Sequence, residues 1–341
     1  MGPMTIAFRT EGGSETGLGH IRRSMALARE LQRRGAKIYF LVNEHPVALN
    51  VLCRYGFETV GVGKDDEQDL LETLGKVRRW NARVLIVDSY KIRDFSPLRD
   101  CLAFAVLIDD LADRPVCADM VINGAACAAE LPYPLSPRTR LLLGSKYVLL
   151  RDEFSQEPER CIRERIKRVL ITLGGIDHLA LTPWLVHWTR EVLETVDIDV
   201  VVGPFFSPEI VFELEQLAQR DPLIALHKDP PKIRDLMLAC DLAITGGGQT
   251  TYELAATGTP AVAIRLADNQ SGNLRGLSAR RTLEWTGDVH DGDLENRVVG
   301  ALQGLAENPD KRAKMSRAGR VLVDGGGAGR VAHAVLEACS Q

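Results

Sequence analysis

The chain has 341 residues, of which 45% are hydrophobic and 26% charged, and its formal net charge is -4 at pH 7. This length is sufficient for two ordinary domains, each with a hydrophobic core. The charge balance argues against a nucleic-acid partner, because such proteins carry basic surfaces. No hydrophobic run approaches the length of a membrane-spanning helix, so we expect no membrane insertion.

The seven cysteines are scattered along the chain without a CxxC pair. This pattern predicts reduced thiols rather than a disulfide framework or a zinc site. The chain enters a predicted strand almost at once, without the basic and then hydrophobic leader of a secreted protein. We therefore expect a cytoplasmic protein that uses no metal and no cofactor.

In the first half, short β-branched runs alternate with amphipathic segments, which predicts a parallel sheet with helices on both faces. The predicted strands are Thr5–Phe8, Lys37–Val42, Glu58–Val60, Val84–Val87, Phe104–Ile108 and Met120–Ile122. The first helix is predicted over Ile21–Arg34 and ends at Gly35. Its arginines are interpreted mainly as a solvated face, with two of them in the first turn; they are Arg22, Arg23, Arg29, Arg33 and Arg34.

The alternation stops in a segment rich in Ala and Pro, from Gly124 to Arg140, and restarts after Arg165. The strands predicted there are Arg168–Leu173, Ile198–Val202, Leu223–Leu226, Asp241–Thr245 and Pro260–Ile264. From Pro309 onward, two helices are expected on either side of Asp324-Gly-Gly-Gly. The predicted organisation is an N-terminal Rossmann-like domain (1–155), a second one (166–320) and a C-terminal helix (321–341). Open α/β sheets bind ligands at the carboxyl ends of their strands, so we expect the site in an interdomain cleft.

The segment from Phe8 to Leu27, FRTEGGSETGLGHIRRSMAL, predicts a strand, a glycine-rich turn and a helix start. Its spacing matches neither the dinucleotide fingerprint nor the Walker A loop. Gly17 and Gly19 are predicted to allow close approach of an anionic substrate. His20 is a candidate general base, because imidazole exchanges a proton near neutral pH. The alternative is a ring that only caps or packs.

Two glycine-rich turns follow predicted strands in the second half, in LITLGGID and in DLAITGGGQTTYELAATGTP. Backbone and hydroxyl donors at such turns can bind a diphosphate. The candidate residues are Gly174, Gly175, Gly247, Gly248, Gln249, Thr250 and Thr251. Glu253 can accept hydrogen bonds from ribose hydroxyls, or it can simply be an acidic residue that complements the helix dipole. Asn269 and Gln270 follow the next strand, where they can reach a ligand or cap a helix.

Acidic residues also follow two predicted strands of the first half. Asp88 and Tyr90 come after Val84–Val87, and Asp109 and Asp110 come after Phe104–Ile108. Adjacent residues on a turn point in different directions, and no third ligand is evident, so the pair does not predict a metal site. Asp88 and Tyr90 can contribute to a site or can pack and cap.

Taken together, GxGHIxR, IVDSY, LIDD, ADMVIN, LLLGSKYVLLRDEF, ITLGGID and GGGQTTYELAATGTP followed by ADNQ resemble a known family. The order and content of these motifs are similar to those of the UDP-sugar hydrolases of pseudaminic acid biosynthesis. The wider group includes spore-coat polysaccharide proteins and, more distantly, GT-B glycosyltransferases of the MurG type. The resemblance extends from the N-terminus to about Gln270.

The resemblance implies two Rossmann-like domains in a GT-B arrangement, with UDP bound mainly by the second. It implies metal-independent hydrolysis of UDP-2,4-diacetamido-2,4,6-trideoxy-β-L-altropyranose, with attack of water at the anomeric carbon and inversion. The family's catalytic histidine falls on His20, its sugar-proximal tyrosine and asparagine on Tyr90 and Asn269, and its ribose-binding glutamate on Glu253. Two alternatives stay open: a glycosyltransferase that uses an acceptor instead of water, and a nucleotide-sugar-binding protein without activity.

Overall fold

The computed structural model describes residues 3–63, 66–92, 102, 104–133, 138–155 and 158–339. The chain divides into two compact units. Unit 1 comprises residues 1–152 and 325–341, and unit 2 comprises residues 153–324. None of the described helices combines the length and hydrophobicity that crossing a lipid bilayer requires.

The described part of unit 1 contains a seven-stranded parallel sheet in the order β3-β2-β1-β4-β5-β6-β7. Its strands are β1 (Thr5–Thr10), β2 (Lys37–Asn43), β3 (Glu58–Val62), β4 (Val84–Asp88), β5 (Phe104–Ile108), β6 (Met120–Asn123) and β7 (Arg140–Leu143). Its helices are α1 (Gly19–Arg33), α2 (Pro46–Arg54), α3 (Asp66–Arg79) and, at the end of the chain, α11 (Gly327–Ala338). Buried aliphatic side chains of β1, β2, β4 and β5 form the centre of its core.

The described part of unit 2 contains a six-stranded parallel sheet in the order β10-β9-β8-β11-β12-β13. Its strands are β8 (Arg168–Thr172), β9 (Asp197–Val202), β10 (Ile224–Lys228), β11 (Leu242–Gly246), β12 (Ala261–Arg265) and β13 (Glu284–Asp288). Its helices are α4 (Leu181–Val192), α5 (Pro208–Arg220), α6 (Ile233–Ala239), α7 (Thr250–Ala256), α8 (Ser271–Ala279), α9 (Leu294–Ala306) and α10 (Pro309–Leu322). Helices α4, α5 and α9 pack their hydrophobic sides on one face of this sheet.

The strand order places a switch point in each unit. In unit 1 the chain passes from β1 outward to β2 and β3, then returns to β4 on the other side of β1; unit 2 repeats this around β8 and β11. Loops that leave two neighbouring central strands in opposite directions create a crevice at their carboxyl ends, where ligands of such sheets bind. The α/β fold class predicted from the sequence is confirmed.

Candidate active site

In unit 1 the glycine-rich turn after β1 is fixed by backbone and amide hydrogen bonds. The backbone groups of Gly13 and Gly17 bond to each other at 3.0 and 2.8 Å, and Gly17 has a φ of +69°. The side-chain amide of Asn43 accepts from the N–H of Gly12 and donates to its carbonyl oxygen, at 2.9 and 2.8 Å. This double contact holds the turn so that α1 begins at Gly19, with His20 in its first turn.

His20 lies against Asp88, the last residue of β4, across the switch point of unit 1. Its Nδ1 is 2.6 Å from Asp88 Oδ1, and 9% of its side chain is exposed. Arg23 Nη2 is also near Nδ1, at 3.1 Å, but a guanidinium only donates. The shorter contact with a carboxylate assigns the proton to Nδ1, which leaves a lone pair on Nε2. No residue in the described ranges hydrogen-bonds Nε2, so this nitrogen is available to accept a proton.

The carboxylate of Asp88 is fully buried and is held by several donors. Arg23 donates to both of its oxygens, at 2.8 and 2.6 Å, and the hydroxyl of Ser24 donates to Oδ2 at 3.0 Å. Burial alone would raise the pKa of Asp88, but the charge of Arg23 and the hydrogen bonds from Arg23 and His20 outweigh it and hold that pKa well below its usual range. Asp88 therefore stays ionised and fixes the ring of His20.

Arg23 connects this pair to Asp110, the second acidic residue after β5. Its Nη1 donates to Asp110 Oδ1 at 2.8 Å, and the hydroxyl of Tyr90 donates to Oδ2 at 2.9 Å. Burial would lower the pKa of Arg23, but Asp110 and Asp88 outweigh it and raise that pKa. The interpretation of Arg23 as part of a solvated face is wrong, because two carboxylates at strand ends draw the guanidinium inward, where 13% of the side chain is exposed.

Tyr90 packs its ring edge-on against His20, with 4.7 Å between the ring centroids. Its backbone N–H donates to the carboxylate of Glu11 at 2.8 Å, and the hydroxyl of Ser89 donates to the same group at 3.2 Å. Glu11 belongs to the glycine-rich turn after β1, so these hydrogen bonds connect the segment after β4 to that turn. The structure thus brings His20 and Tyr90 into contact at the carboxyl edge of the unit 1 sheet.

Asp109 and Asp110 point to different partners, which confirms the prediction for adjacent residues on a turn. Asp109 accepts from Arg114 and from the hydroxyl of Tyr133, which lies 2.7 Å from Oδ2. Burial and the charge of Asp109 raise the pKa of Tyr133, so its hydroxyl remains a donor. Among the described residues, no group of three or more His, Cys, Asp or Glu side chains is arranged to hold a metal ion.

In unit 2 the triple-glycine turn after β11 is supported from the loop after β12. Gln270 Oε1 accepts from the N–H of Gly247 at 3.1 Å, and Asn273 Nδ2 donates to the carbonyl oxygen of Gly247 at 2.7 Å. The hydroxyl of Thr251 donates to the carbonyl of Gly248 at 2.7 Å. Gln270 and Thr251 therefore use these polar atoms within unit 2, and Gln249, which is partly exposed, lies at the N-cap position of α7.

The other predicted residues of unit 2 lie at the same carboxyl edge. Gly174 follows β8 with a φ of +95°, a left-handed conformation that favours glycine. A Cβ atom on Gly203 would lie 2.5 Å from the carbonyl oxygens of Gly174 and Gly175, so the loops after β8 and β9 are in close backbone contact. Glu253 is buried in α7, and Asn269 is exposed in a short 3-10 helix.

No protein-family model matches the chain. An uncharacterised protein of Methanocaldococcus jannaschii is 28% identical over 276 residues, which cover 76% of this chain and 55% of that protein. The spore coat polysaccharide biosynthesis protein SpsG of Bacillus subtilis is 21% identical over 337 residues, 96% of each chain. A Helicobacter pylori protein named as pseudaminic acid cytidylyltransferase and UDP-2,4-diacetamido-2,4,6-trideoxy-β-L-altropyranose hydrolase is 24% identical over 75% of this chain and 43% of its own. The resemblance seen in the motifs is confirmed.

Solved structures that are similar to the whole chain include several glycosyltransferases. MurG of Acinetobacter baumannii matches 98% of this chain and 100% of its own, with a TM-score of 0.67 at 14% identity. The calicheamicin glycosyltransferase CalG4 matches 99% of this chain and 98% of its own, with a TM-score of 0.69 at 15% identity. The fold is that of the GT-B glycosyltransferases.

Proposed function

We propose that the chain is an enzyme that hydrolyses a nucleotide-sugar, releasing the nucleoside diphosphate and the free sugar. The observation that carries this proposal is the pairing of His20 with Asp88 at the switch point of unit 1, with Nε2 left to accept a proton. A purely structural histidine would use both ring nitrogens or turn the second one into the core. The His20–Asp88 pair instead has the form of a general base oriented by a carboxylate.

In the proposed reaction His20 Nε2 removes a proton from a water molecule, and the oxygen attacks the anomeric carbon. The bond between this carbon and the phosphate oxygen breaks, and its electron pair leaves with the nucleoside diphosphate. Attack opposite the leaving group gives inversion at the anomeric carbon. A nucleoside diphosphate is a good leaving group, so one base, one placed water and electrostatic support are sufficient, without a second catalytic carboxylate or a metal.

Unit 2 is proposed to hold the nucleotide at the turn after β11. The bonds of Gly247 to Gln270 and Asn273 fix this turn before a ligand arrives, which lowers the entropy cost of binding. Gly248 has no atom within 4 Å of where its Cβ would lie, so a phosphate can approach the backbone closely. Glu253 is proposed to accept hydrogen bonds from the ribose hydroxyls, in line with its place in the family motif.

The substrate proposed first is UDP-2,4-diacetamido-2,4,6-trideoxy-β-L-altropyranose. The Helicobacter pylori relative and a Campylobacter jejuni relative, which is 26% identical over 51% of this chain, are both named as hydrolases of this nucleotide-sugar, which supports this choice. Tyr90 beside His20, and Asn269 in unit 2, are proposed to contact the sugar.

A glycosyltransferase is the second candidate, favoured by the similarity of the whole chain to MurG and CalG4. It would use the same base, with an acceptor hydroxyl in place of water. Hydrolase and transferase differ in whether the nucleotide-sugar reacts without an acceptor.

The test is to incubate the protein with a panel of UDP-, CMP- and GDP-sugars without an acceptor, and to assay free nucleotide and the first anomer formed. Rapid release of UDP with an inverted sugar supports hydrolysis; release only after an acceptor is added assigns a transferase.

The substitution His20→Asn tests the base directly. It is expected to lower kcat by about 10²- to 10⁴-fold, which is the usual contribution of a general base, while the Kd for UDP changes less than about twofold. The matched control is His187→Asn, at an exposed histidine of α4, which should leave both quantities unchanged. Unaltered turnover in His20→Asn would remove the mechanism.

A further inference from the structure

The segment from Ser89 to Ile92 follows β4, carries Tyr90 and is neither helix nor strand. Three of its backbone groups are hydrogen-bonded to side chains from other segments. The N–H of Tyr90 donates to Glu11 at 2.8 Å, and the carbonyl oxygens of Ser89 and Ile92 both accept from Arg114 Nη1 at 2.8 Å. Buried backbone groups outside helices and sheets need such partners. The course of this segment therefore depends on Glu11 on its N–H side and on Arg114 on its carbonyl side.

Arg114 is a buried arginine whose side chain is only 3% exposed. Its Nε and Nη2 donate to Asp109 Oδ1 at 3.3 and 3.2 Å, so its charge is paired with the first carboxylate after β5. Asp109 is held in turn by the hydroxyl of Tyr133, 2.7 Å from Oδ2. Because a guanidinium presents its N–H groups in one rigid plane, the contact with Asp109 also sets the direction of Nη1. The buried ion pair thus aims Nη1 at the segment after β4.

The turn after β5 has an unusual backbone conformation on the way to Arg114. Asp109 Oδ2 accepts from the N–H of Ala112 at 2.8 Å, and Ala112 has a φ of +53°, in the left-handed region that residues other than glycine rarely adopt. Such conformations persist where the surrounding contacts determine them, and they are frequent at functional sites. Here the contact between Asp109 and Ala112 shapes the turn from which Arg114 reaches the segment after β4.

We propose that Arg114 is a positioning residue of the candidate active site and acts on the sugar through Tyr90. Glu11 and Arg114 hold the two sides of the short segment that carries Tyr90. Contacts within unit 1 alone therefore keep the ring of Tyr90 against that of His20, at 4.7 Å between the centroids. A group that is fixed in advance beside the reacting atoms lowers the entropy cost of the reaction. This inference rests on the proposed function, in which Tyr90 contacts the sugar.

The test combines kinetics with the ¹H shifts of the His20 ring in histidine-labelled protein, assigned by their loss in His20→Asn. The ring current of Tyr90 contributes to these shifts, and Tyr90→Leu gives their values without it. Arg114→Gln is expected to move the His20 shifts at least half of the way to those of Tyr90→Leu. It is also expected to lower kcat by about 10- to 100-fold, the effect of a displacement of ~1 Å near the reacting atoms, while the Kd for UDP changes less than about twofold.

The matched control is Arg312→Gln in unit 2. Arg312 is also buried, and its Nη2 donates to the backbone carbonyl oxygens of Arg163 and Glu164 at 2.6 and 2.9 Å. This variant should be less stable, but the His20 shifts and the kcat of the folded protein should be unchanged. Arg114→Lys keeps the charge and can still donate to one of the two carbonyl oxygens, so its changes should be smaller than those of Arg114→Gln. It serves for the same measurements if Arg114→Gln does not fold.

Unchanged His20 shifts in a folded Arg114 variant would overturn the proposal, and so would moved shifts with an unchanged kcat. Equal changes in Arg312→Gln would also overturn it, because loss of any buried arginine would then have the same effect. The shifts are measured without substrate, so they report the position of Tyr90 even if the chain hydrolyses no nucleotide-sugar. Failure of the proposed function is thereby distinguished from failure of this inference.

Discussion

Asp88 is the residue on which the chemistry proposed for His20 depends. A buried carboxylate without partners would be protonated and could not orient an imidazole. Here Arg23 compensates most of the negative charge of Asp88. The 2.6 Å contact between Asp88 Oδ1 and His20 Nδ1 still selects one tautomer of the His20 ring. Asp88 is thus a positioning residue, because it acts on the reaction only through His20.

The substitution Asp88→Asn is expected to lower kcat by about 10²- to 10⁴-fold with little change in the affinity for UDP. An asparagine can turn its amide N–H toward Nδ1, and Arg23 Nη2, already 3.1 Å away, can donate there as well. Both changes move the ring proton to Nε2 and remove the base. The measurement is steady-state kinetics together with ¹⁵N shifts of labelled histidine, which report the tautomer.

If Asp88 had only a structural role, the substitution Asp88→Asn would lower stability but would leave the tautomer of the His20 ring unchanged. The ¹⁵N spectrum of Asp88→Asn therefore decides between the two roles, provided that the thermal midpoint shows a folded protein. Retention of the Nδ1–H tautomer together with normal turnover would contradict the assignment. Asp197→Asn, at a half-exposed ion pair with Arg168 in unit 2, serves as the control for loss of an aspartate charge.

At the scale of single residues, the sequence made His20 a candidate but did not predict the contacts around it. His20 stands out because a titratable ring directly follows a run of glycines, whereas Asp88 is 68 positions away and has only its strand-end position as a signal. Arg23 had only its place in the first turn of α1 as a signal and Asn273 had none, since the contacts of both depend on which loops the folded sheet brings together. Gln270 was predicted at the correct edge, but its carbonyl oxygen supports the turn at Gly247.

At the scale of elements, β-branched runs predicted every central strand of the two described sheets but only two of the four edge strands, β3 and β10. The run Phe104–Ile108 is predicted with its observed bounds, because buried central strands are continuously hydrophobic. Strands β7 (RLLL) and β13 (EWTGD) were not predicted. Each lies at one edge of its sheet, where a strand pairs on one side only and needs less hydrophobic sequence. The two helices around Asp324-Gly-Gly-Gly are confirmed as α10 and α11.

The first residue of α11 is a glycine that lies very close to the backbone of unit 1. A Cβ atom on Gly327, the first residue of α11, would lie 2.1 Å from the carbonyl oxygen of Val148, a backbone atom that cannot turn aside. Gly327→Ala is therefore expected to destabilise unit 1 by roughly 1–3 kcal/mol, the usual cost of overpacking. Urea unfolding of the full chain measures this loss.

Gly329→Ala is the matched control for this prediction, two residues further along the same helix. Its Cβ atom would make ordinary contacts, the nearest at 3.7 Å to Arg34 Nη2. Replacing glycine by alanine inside a helix favours the helix by up to about 1 kcal/mol, so this variant should be as stable as the natural sequence or slightly more so. Equal stability of the two variants would mean that α11 does not dock closely at Val148.

At the scale of the whole molecule, lowered carboxyl pKa values occur in both units and make stability depend on pH. In unit 1 Arg23 overcomes burial and lowers the pKa of Asp88 and of Asp110. In unit 2 the backbone N–H of His290 lowers the pKa of Asp288, and the N–H of Asp288 lowers that of Asp291. In every case the folded chain favours the ionised carboxylate.

Stability should therefore fall on the acid side. A carboxyl group whose pKa is lower in the folded than in the unfolded chain stabilises the fold above the unfolded pKa, about 3.9 for Asp, and this contribution is lost as the pH falls through the folded pKa. Urea unfolding at pH 7, 5, 4 and 3 is expected to show a declining free energy of unfolding, steepest below pH 5. The variant Asp110→Asn should be less stable at pH 7, but its free energy of unfolding should fall less on acidification, because its side chain does not titrate and its one amide oxygen can still accept a hydrogen bond from Arg23. If the free energy of unfolding of Asp110→Asn changed with pH as steeply as that of the natural sequence, the Asp110–Arg23 pair would be broken in solution. A solvated aspartate has the same pKa in the folded and the unfolded chain and therefore contributes no pH dependence.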